Sequence, residues 1–124
     1  CQMERVMVAD GCRLYDVDLK ECIIGLRSIV RPGARLHRVV MMGADFYETE
    51  DQKAENRRQG RPHVGIGEDT HIERAIVDQN TRIGCGVTIR SHEGEKDQDG
   101  EHHAIRDGIV VIPKHAVIPD GTAI

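Results

Sequence analysis

Apolar residues recur at every sixth position of this chain, and this period restricts the possible fold more than any other feature. The guide positions form three series: Ile24, Val30, Leu36 and Met42; then Ile66 and Ile72 followed, after a step of five, by Val77, Ile83 and Ile89; then Ile112, Ile118 and Ile124. Plain strand alternation also repeats every six residues, but it does not require glycine at a fixed phase. Glycines here do keep a phase, directly after a guide residue (Gly25, Gly67, Gly84) or three residues after Val8, Val30, Ile83 and Ile118 (Gly11, Gly33, Gly86, Gly121). The sequence therefore predicts short strands bent at regular corners.

Three such hexads make one triangular coil whose guide residues point inward, and successive coils pair their backbones with the coils above and below. A companion residue, four places after a guide residue, is predicted to share the interior: Ser28, Ala34, Val40, Thr70, Ile76, Thr81, Val87, Ala116 and Thr122. The chain supplies on the order of four coils, enough for a continuous core. We therefore predict a single all-β domain over residues 1–124, a parallel β-helix of hexapeptide repeats. The alternative, an antiparallel sandwich, would not keep the hexad phase.

The composition supports strands and excludes several classes of function. Val and Ile number 25 against 4 Leu, and β-branched side chains pack better on strands than in helices. The formal net charge is −4 and the basic residues are scattered, so nucleic acid is not an expected partner. No apolar run approaches the ~20 residues that span a bilayer, so no membrane association is expected.

The cysteines predict a reducing compartment. Cys1, Cys12, Cys22 and Cys85 show no CxxC spacing and no signal peptide precedes them, so we expect reduced, mostly packing residues and a cytoplasmic location. Because the chain opens within the repeat pattern and without a start methionine, we also expect a piece of a longer protein.

A first excursion, residues 43–63, interrupts the period with a polar helix. Thr49 is the predicted N-cap, acidic residues follow it, Arg57 and Arg58 occupy the last turn, and Gly60 ends the helix. Such a helix has no apolar face, so we expect Phe46 and Tyr47 to anchor the excursion on the prism or on a neighbouring subunit. The alternative is a solvated loop helix whose aromatic residues cap the open edge of the prism.

A second excursion, residues 90–108, is a strongly charged loop. It carries His92, His102 and His103 beside carboxylates, but their spacing matches no zinc signature. We assign no metal to this chain.

No sequence motif assigns a catalytic residue. The chain lacks a phosphate-binding GxxxxGK[ST], a GxSxG elbow and an HExxH pair, and the hydroxyls of Ser28 and Ser91 have no evident base. A histidine serves as general base in hexapeptide acyltransferases, and His37, His71 and His115 are the corresponding candidates. Exposed corner residues are the simpler interpretation of all three.

Three segments carry a resemblance to a known family: MGADFYE (Met42 to Glu48), GIGEDTHIERAIVDQNTRIG (Gly65 to Gly84) and IRDGIVVIPKHAVIPDGT (Ile105 to Thr122). Together they resemble the carboxy-terminal domain of ADP-glucose pyrophosphorylase, also called glucose-1-phosphate adenylyltransferase. The resemblance extends over nearly the whole chain and includes both excursions. It implies a left-handed coil, an exception to the usual right-handed crossover.

The resemblance also implies a homotetrameric enzyme of glycogen or starch synthesis that makes ADP-glucose and pyrophosphate from ATP and glucose 1-phosphate with magnesium. The family's catalytic residues lie in an amino-terminal nucleotidyltransferase domain, which is absent from this chain, so we expect no cofactor and no activity here. Lys114 matches a lysine that binds effector anions in plant and cyanobacterial members. A second such lysine is replaced by Gln79, which leaves open which sugar phosphate is the effector.

Two other functions remain open from the sequence. One is a stand-alone hexapeptide acyltransferase, for which binding of an acyl-coenzyme A would be the test. The other is a purely structural oligomerisation module. The presence of a nucleotidyltransferase domain upstream in the same reading frame would separate both from the first interpretation.

Overall fold

The structure, a computed structural model, describes residues 2–100 and 103–124. Its strands are β1 (Gln2–Glu4), β2 (Met7–Val8), β3 (Arg13–Leu14), β4 (Asp18–Lys20), β5 (Ile23–Ile24), β6 (Ile29–Val30), β7 (Arg35–Met41), β8 (Gly65–Ile66), β9 (His71–Val77), β10 (Arg82–Ile83), β11 (Thr88–Ile89), β12 (Gln98–Asp99), β13 (Ala104–Arg106), β14 (Ile109–Ile112) and β15 (Val117–Ile118). One helix, α1 (Glu50–Gln59), lies between β7 and β8.

The strands form three faces of a prism, and neighbouring coils pair in parallel within each face. Face A contains β1, β4, the first half of β7, the first half of β9, and β11. Face B contains β2, β5, the second halves of β7 and β9, and β14. Face C contains β3, β6, β8, β10 and β15. This arrangement is the predicted parallel β-helix.

The core is a set of aliphatic columns that run along the prism axis. Equivalent residues of successive coils lie in register, as in the pairs Leu36 with Ile72 and Ile66 with Ile83. Leu19, which pairs with the guide residue Leu36, is 1% exposed. The guide residues in these columns are also at most 1% exposed: Ile24, Val30, Leu36, Ile66, Ile72, Val77, Ile83, Ile89, Ile112 and Ile118. Fully burying such a side chain contributes roughly 1.5–3 kcal/mol, so stacked coils supply the stability that no single coil has.

The predicted phase is wrong at one corner, because Met41 and not Met42 points inward. Met41 is 5% exposed and Met42 is 48% exposed. Met41 pairs with Val77 of the next coil, so the step from Leu36 to Met41 is five residues, as is the step from Ile72 to Val77. Both steps occur inside a seven-residue strand that turns the corner without breaking.

The same shift corrects two companion positions. Val39 and Ala75 are buried at the corner, while Val40 and Ile76 face outward. The remaining companions of the inner coils, such as Ser28, are buried as predicted.

Glycine is required where adjacent coils approach most closely. A Cβ on Gly67 would lie 2.3 Å from the carbonyl oxygen of Gly84 in the coil above, and one on Gly25 would lie 2.4 Å from that of Met42. Neither neighbour is a flexible side chain, so the phase of glycine in the sequence reflects contact between backbones.

The helix of the first excursion has the predicted boundaries. Thr49 Oγ1 accepts a hydrogen bond from the Gln52 amide at 3.2 Å, and the Gln52 side chain accepts one from the Thr49 amide at 2.8 Å, which completes a capping box. Gly60 ends the helix in the left-handed conformation, with φ of 70°.

The second excursion differs from the predicted plain loop, because it contains two antiparallel strands. β12 pairs with β13, and β13 pairs with β14 through a two-residue turn at Asp107 and Gly108. Both turn residues have positive φ, 53° and 76°, which is the geometry that Asp-Gly favours in hairpins. Ile105, on β13, is 2% exposed and holds the hairpin on the prism.

The cysteines and histidines that the sequence analysis named differ in burial. Cys22 is buried and donates to the Leu36 carbonyl at 3.3 Å, whereas Cys85 is exposed. The thiols of Cys12, Cys22 and Cys85 are free. His92 is 5% exposed, with Nδ1 2.9 Å from Glu95 Oε2. Cys1 and His102 lie outside the described residues.

Candidate functional site

The edge between faces B and C, here called the B–C edge, carries the proposed effector residue Lys114 and the turn from which the first excursion leaves. It is a stack of turns, one per coil, joined by backbone hydrogen bonds of 2.8–3.1 Å: Arg27 to Asp10, Ala44 to Leu26, Asn80 to Gly43, and His115 to Gln79. The first excursion leaves the prism from the middle turn of this stack.

Lys114 lies exposed in the last turn, directly above Gln79. The His115 amide donates to the Gln79 carbonyl at 3.0 Å, so the lysine and the position of the missing second lysine occupy equivalent turns of adjacent coils. Beneath them Asn80 is 5% exposed and exchanges hydrogen bonds with Asp45 at 2.9 and 3.0 Å. Lys114 is therefore an exposed cation on a turn that backbone hydrogen bonds tie to the coil below.

Phe46 and Tyr47 lie on the same edge but far down the stack from Lys114. The Tyr47 hydroxyl donates to the carbonyl of Gly11 in the first coil, and the Arg13 guanidinium carbon lies 4.6 Å from the centre of its ring. Phe46 is 39% exposed. The structure thus does not bring these aromatic residues together with Lys114 into one pocket.

A buried carboxylate, Glu48, fastens the excursion to face C, and sequence reasoning did not identify it. Its side chain is 3% exposed and lies 2.9 Å from Arg82 Nη1. It also accepts hydrogen bonds from the Val64 amide at 2.6 Å and from the Asn56 side chain. Burial alone would raise the pKa of Glu48, but these hydrogen bonds and the Arg82 charge together lower it.

Face B carries an apolar stripe on its outer surface, formed by one residue in each coil. The members pair in register and are Met7, Ile23, Val40, Ile76 and Val111. Met7 is 70% exposed and Ile23 is 49% exposed. The equivalent outer column of face A is polar and contains Gln2, Asp18, Arg35, His71 and Thr88.

A sequence signal for this stripe exists in the apolar doublets Ile23-Ile24, Ile76-Val77 and Val111-Ile112. A strand with apolar residues on both faces is typically covered on both. Val40 and Ile76 were predicted to point inward, and the signal was therefore missed.

The candidate catalytic residues do not converge. Ser28 is 1% exposed and donates to the Gly25 carbonyl at 2.8 Å, a structural role. His37 and His71 lie on the outer surface of face A, and His115 lies on the B–C edge. Among residues 2–100 and 103–124, no group of three His, Cys, Asp or Glu side chains could hold a metal ion. No helix of that part of the chain is long and apolar enough to cross a membrane.

Parallel coils, hexapeptide periodicity and glycines at close backbone contacts define a β-helix protein of the hexapeptide-repeat class. Residues 1–123 match the family model of the GLGC left-handed parallel β-helix domain. The chain belongs to this family, and its coil is left-handed.

A curated relative extends the comparison beyond the fold. The chain is 43% identical over 126 residues to the large subunit 1 of glucose-1-phosphate adenylyltransferase from Zea mays, described as chloroplastic/amyloplastic. The alignment covers 100% of this chain and 24% of the relative, in its carboxy-terminal part. The chain thus spans about a quarter of the length of the protein it matches.

Proposed function

We propose that this chain is the carboxy-terminal assembly and regulatory part of a glucose-1-phosphate adenylyltransferase, which makes ADP-glucose and pyrophosphate from ATP and glucose 1-phosphate. Family membership over residues 1–123 and 43% identity to the relative support this proposal. By itself the chain is expected to catalyse nothing, because it matches only the carboxy-terminal quarter of the relative.

The observation that carries the proposal is the apolar stripe of face B. Isolated apolar side chains are common on protein surfaces, but a continuous row along a whole face marks an interaction surface. Two arginines, Arg38 and Arg74, border a shallow depression of about 330 Å³ in this face. We assign the stripe to contact with the rest of the same enzyme, either its amino-terminal catalytic domain or another subunit of a homotetramer.

Regulation is assigned to the B–C edge. Lys114 offers a flexible point charge for the phosphate of a sugar-phosphate effector. The exposed turn provides no second cation at Gln79, so a cation from another domain would have to complete the site. The effector would then bind only when this chain and the other domain are in contact.

Magnesium and ATP belong to the proposed activity but not to this chain. The described residues offer no cluster of metal ligands, and we assign the binding of both to the remainder of the enzyme. A reducing compartment, and within it the cytoplasm, is supported by the free thiols of Cys12, Cys22 and Cys85. The name of the maize relative places that protein in plastids.

Co-expression with the amino-terminal remainder of the enzyme tests the proposal. The wild-type chain should co-purify with the remainder, and ADP-glucose synthesis should require both. Ile23→Ser combined with Ile76→Ser should abolish co-purification while leaving the fold intact, because both side chains are solvent-exposed. Arg35→Ser with His71→Ser on face A is the matched control and should have no effect. ADP-glucose synthesis by the isolated chain, or equal behaviour of the two double variants, would refute the proposal.

A further inference from the structure

A cavity of about 210 Å³ opens where the first excursion crosses face C. Its walls are the end of α1, the segment that follows the helix, and the edge between faces C and A. Arg31, Arg57, Arg61 and His63 line it. This edge is on the other side of face C from Lys114, so the cavity is separate from the proposed effector position.

The Arg31 guanidinium is half-buried and has no carboxylate partner among the described residues. Its Nη atoms lie 3.3 Å and 3.4 Å from the carbonyl oxygens of Val64 and Ile66, which are long contacts for a cation. Burial lowers the pKa of this guanidinium, with the more distant Glu48 opposing the shift. Removing a guanidinium charge from water without placing an anion beside it costs free energy. An anion bound in the cavity would recover part of that cost.

His63 presents a neutral ring with a defined hydrogen-bond donor. Asn56 is fully buried, and its Oδ1 accepts from Arg61 Nε at 2.9 Å, so its amide nitrogen faces His63 Nδ1 at 3.0 Å. Since the amide nitrogen only donates, Nδ1 accepts and the proton resides on Nε2. Burial, followed by the charges of Arg31 and Arg57, lowers the pKa of His63. An anion in the cavity would offset the charges of Arg31 and Arg57 and so raise the pKa of His63 again.

The charges around the cavity favour an anion. Three arginines are opposed by one lining carboxylate, Asp120, whose Oδ1 already accepts from the Cys85 amide at 2.8 Å. The carbonyls at the end of α1 would repel an anion, but those of Asn56 and Arg57 accept hydrogen bonds from Arg61 and Gly60. Positive charge therefore dominates the cavity.

We infer that this cavity is a binding site for a phosphoryl oxyanion, held by Arg31, Arg57 and Arg61 with His63 as an additional donor. The planar fork of arginine fits phosphate oxygens in pairs. The volume is below the roughly 300–1,000 Å³ of pockets for larger ligands, which suits inorganic phosphate or a small phosphate monoester. The site stands on residues of this chain alone and does not depend on the proposed function.

Calorimetric titration of the full chain with inorganic phosphate and with glucose 1-phosphate, at constant ionic strength, tests the inference. Saturable binding of one equivalent is expected. Comparable affinity for both ligands would assign the site to phosphate itself, and tighter binding of glucose 1-phosphate would assign it to a phosphate ester. Absence of saturable binding for both would overturn the inference.

Four variants make the test specific to this cavity. Arg57→Gln combined with Arg61→Gln should weaken binding about tenfold or more, because charge-assisted hydrogen bonds are lost. Arg57→Gln alone should also weaken it and leaves the Arg61 bond to Asn56 intact. Arg58→Gln is the matched control, since Arg58 is the neighbouring helix residue and pairs with Glu55 instead. Equal affinity of R57Q and R58Q, or loss of binding in Lys114→Gln instead, would refute the assignment.

A direct readout uses the His63 ring. Its proton NMR signal, identified by its absence in His63→Gln, should shift on phosphate addition in the wild type and in R58Q. A signal that stays unchanged at saturating phosphate would place the anion elsewhere.

Discussion

Replacing Glu48 by Gln should detach the first excursion from the prism. The substitution keeps the shape of the side chain and removes its charge, so Arg82 Nη1, now 2.9 Å from a carboxylate oxygen, loses its ion pair. The new amide nitrogen also faces donors, because the Val64 amide at 2.6 Å and the Asn56 side chain both donate to Glu48. Arg82 keeps the Pro62 carbonyl at 3.0 Å as an acceptor but loses its counter-charge, and at least one of the donors to Glu48 is left without an acceptor.

The expected cost follows from the burial of this pair. The side chains of Glu48 and Arg82 are 3% and 16% exposed, and breaking a buried ion pair by removing one partner costs about 3–5 kcal/mol. For a domain of this size that corresponds to a fall in melting temperature on the order of 10–20 °C. Urea denaturation gives the free energy, and if the excursion detaches alone, the loss appears as faster amide exchange across α1.

Glu50→Gln is the matched control for this experiment. Glu50 belongs to the same segment, but its side chain is 85% exposed and its contact with Lys53 Nζ is long, at 3.7 Å. A change in the free energy of unfolding within about 0.5 kcal/mol is therefore expected. A cost for E48Q no larger than for E50Q, in both unfolding and amide exchange, would refute the reasoning.

The pH dependence adds a second check on Glu48. Its folded-state pKa is lowered, so its contribution is complete above the unfolded value of about 4.3 and is lost as pH falls through the folded pKa. The stability difference between wild type and E48Q should therefore shrink as the solution is acidified below about pH 4.

Three further outcomes are expected. Gly67→Ala should destabilise the fold by about 1–3 kcal/mol or more, because the added Cβ would overlap the backbone of the next coil. Gly86→Ala should cost less, because its Cβ would meet nothing within 4 Å, although its φ of 65° is unfavourable for alanine. Urea denaturation measures both costs. Tyr47→Phe should cost about 0.5–1.5 kcal/mol in the same assay, since it removes the hydrogen bond to Gly11 and keeps the ring; no change would show that solvent replaces this bond fully. The pKa of His63 is lowered in the folded state, so stability should fall as pH drops below about 6.5. His63→Gln should make the melting temperature depend less on pH between 7.5 and 5. An unaltered pH dependence in this variant would contradict the shift.

The period of six was sufficient to predict the class of fold. Burial of an aliphatic side chain depends mainly on its own position in a repeating pattern, and ten of the predicted guide residues in the inner coils are at most 1% exposed: Ile24, Val30, Leu36, Ile66, Ile72, Val77, Ile83, Ile89, Ile112 and Ile118. The boundaries of α1 were also predictable, because capping involves residues that are close in sequence.

Other features needed the packed coils. Met41 and Met42 are identical in chemistry, and only the pairing of Met41 with Val77 decides which is buried. The hairpin at Asp107 was visible as an Asp-Gly pair, but that pair also suits a corner of the prism, and the pairing of β13 with β14 selects the hairpin.

The sequence by itself determined the solenoid, most of its inward-facing residues and the two places where the chain leaves it, because these depend on local periodicity and on turn and capping residues. The tertiary structure decided where the excursions dock. Glu48 meets Arg82, and Arg31 meets the segment after α1, only because a coil returns each strand to a position above its predecessor. Contacts between residues so distant in sequence depend on the geometry of whole coils, which a local pattern does not contain.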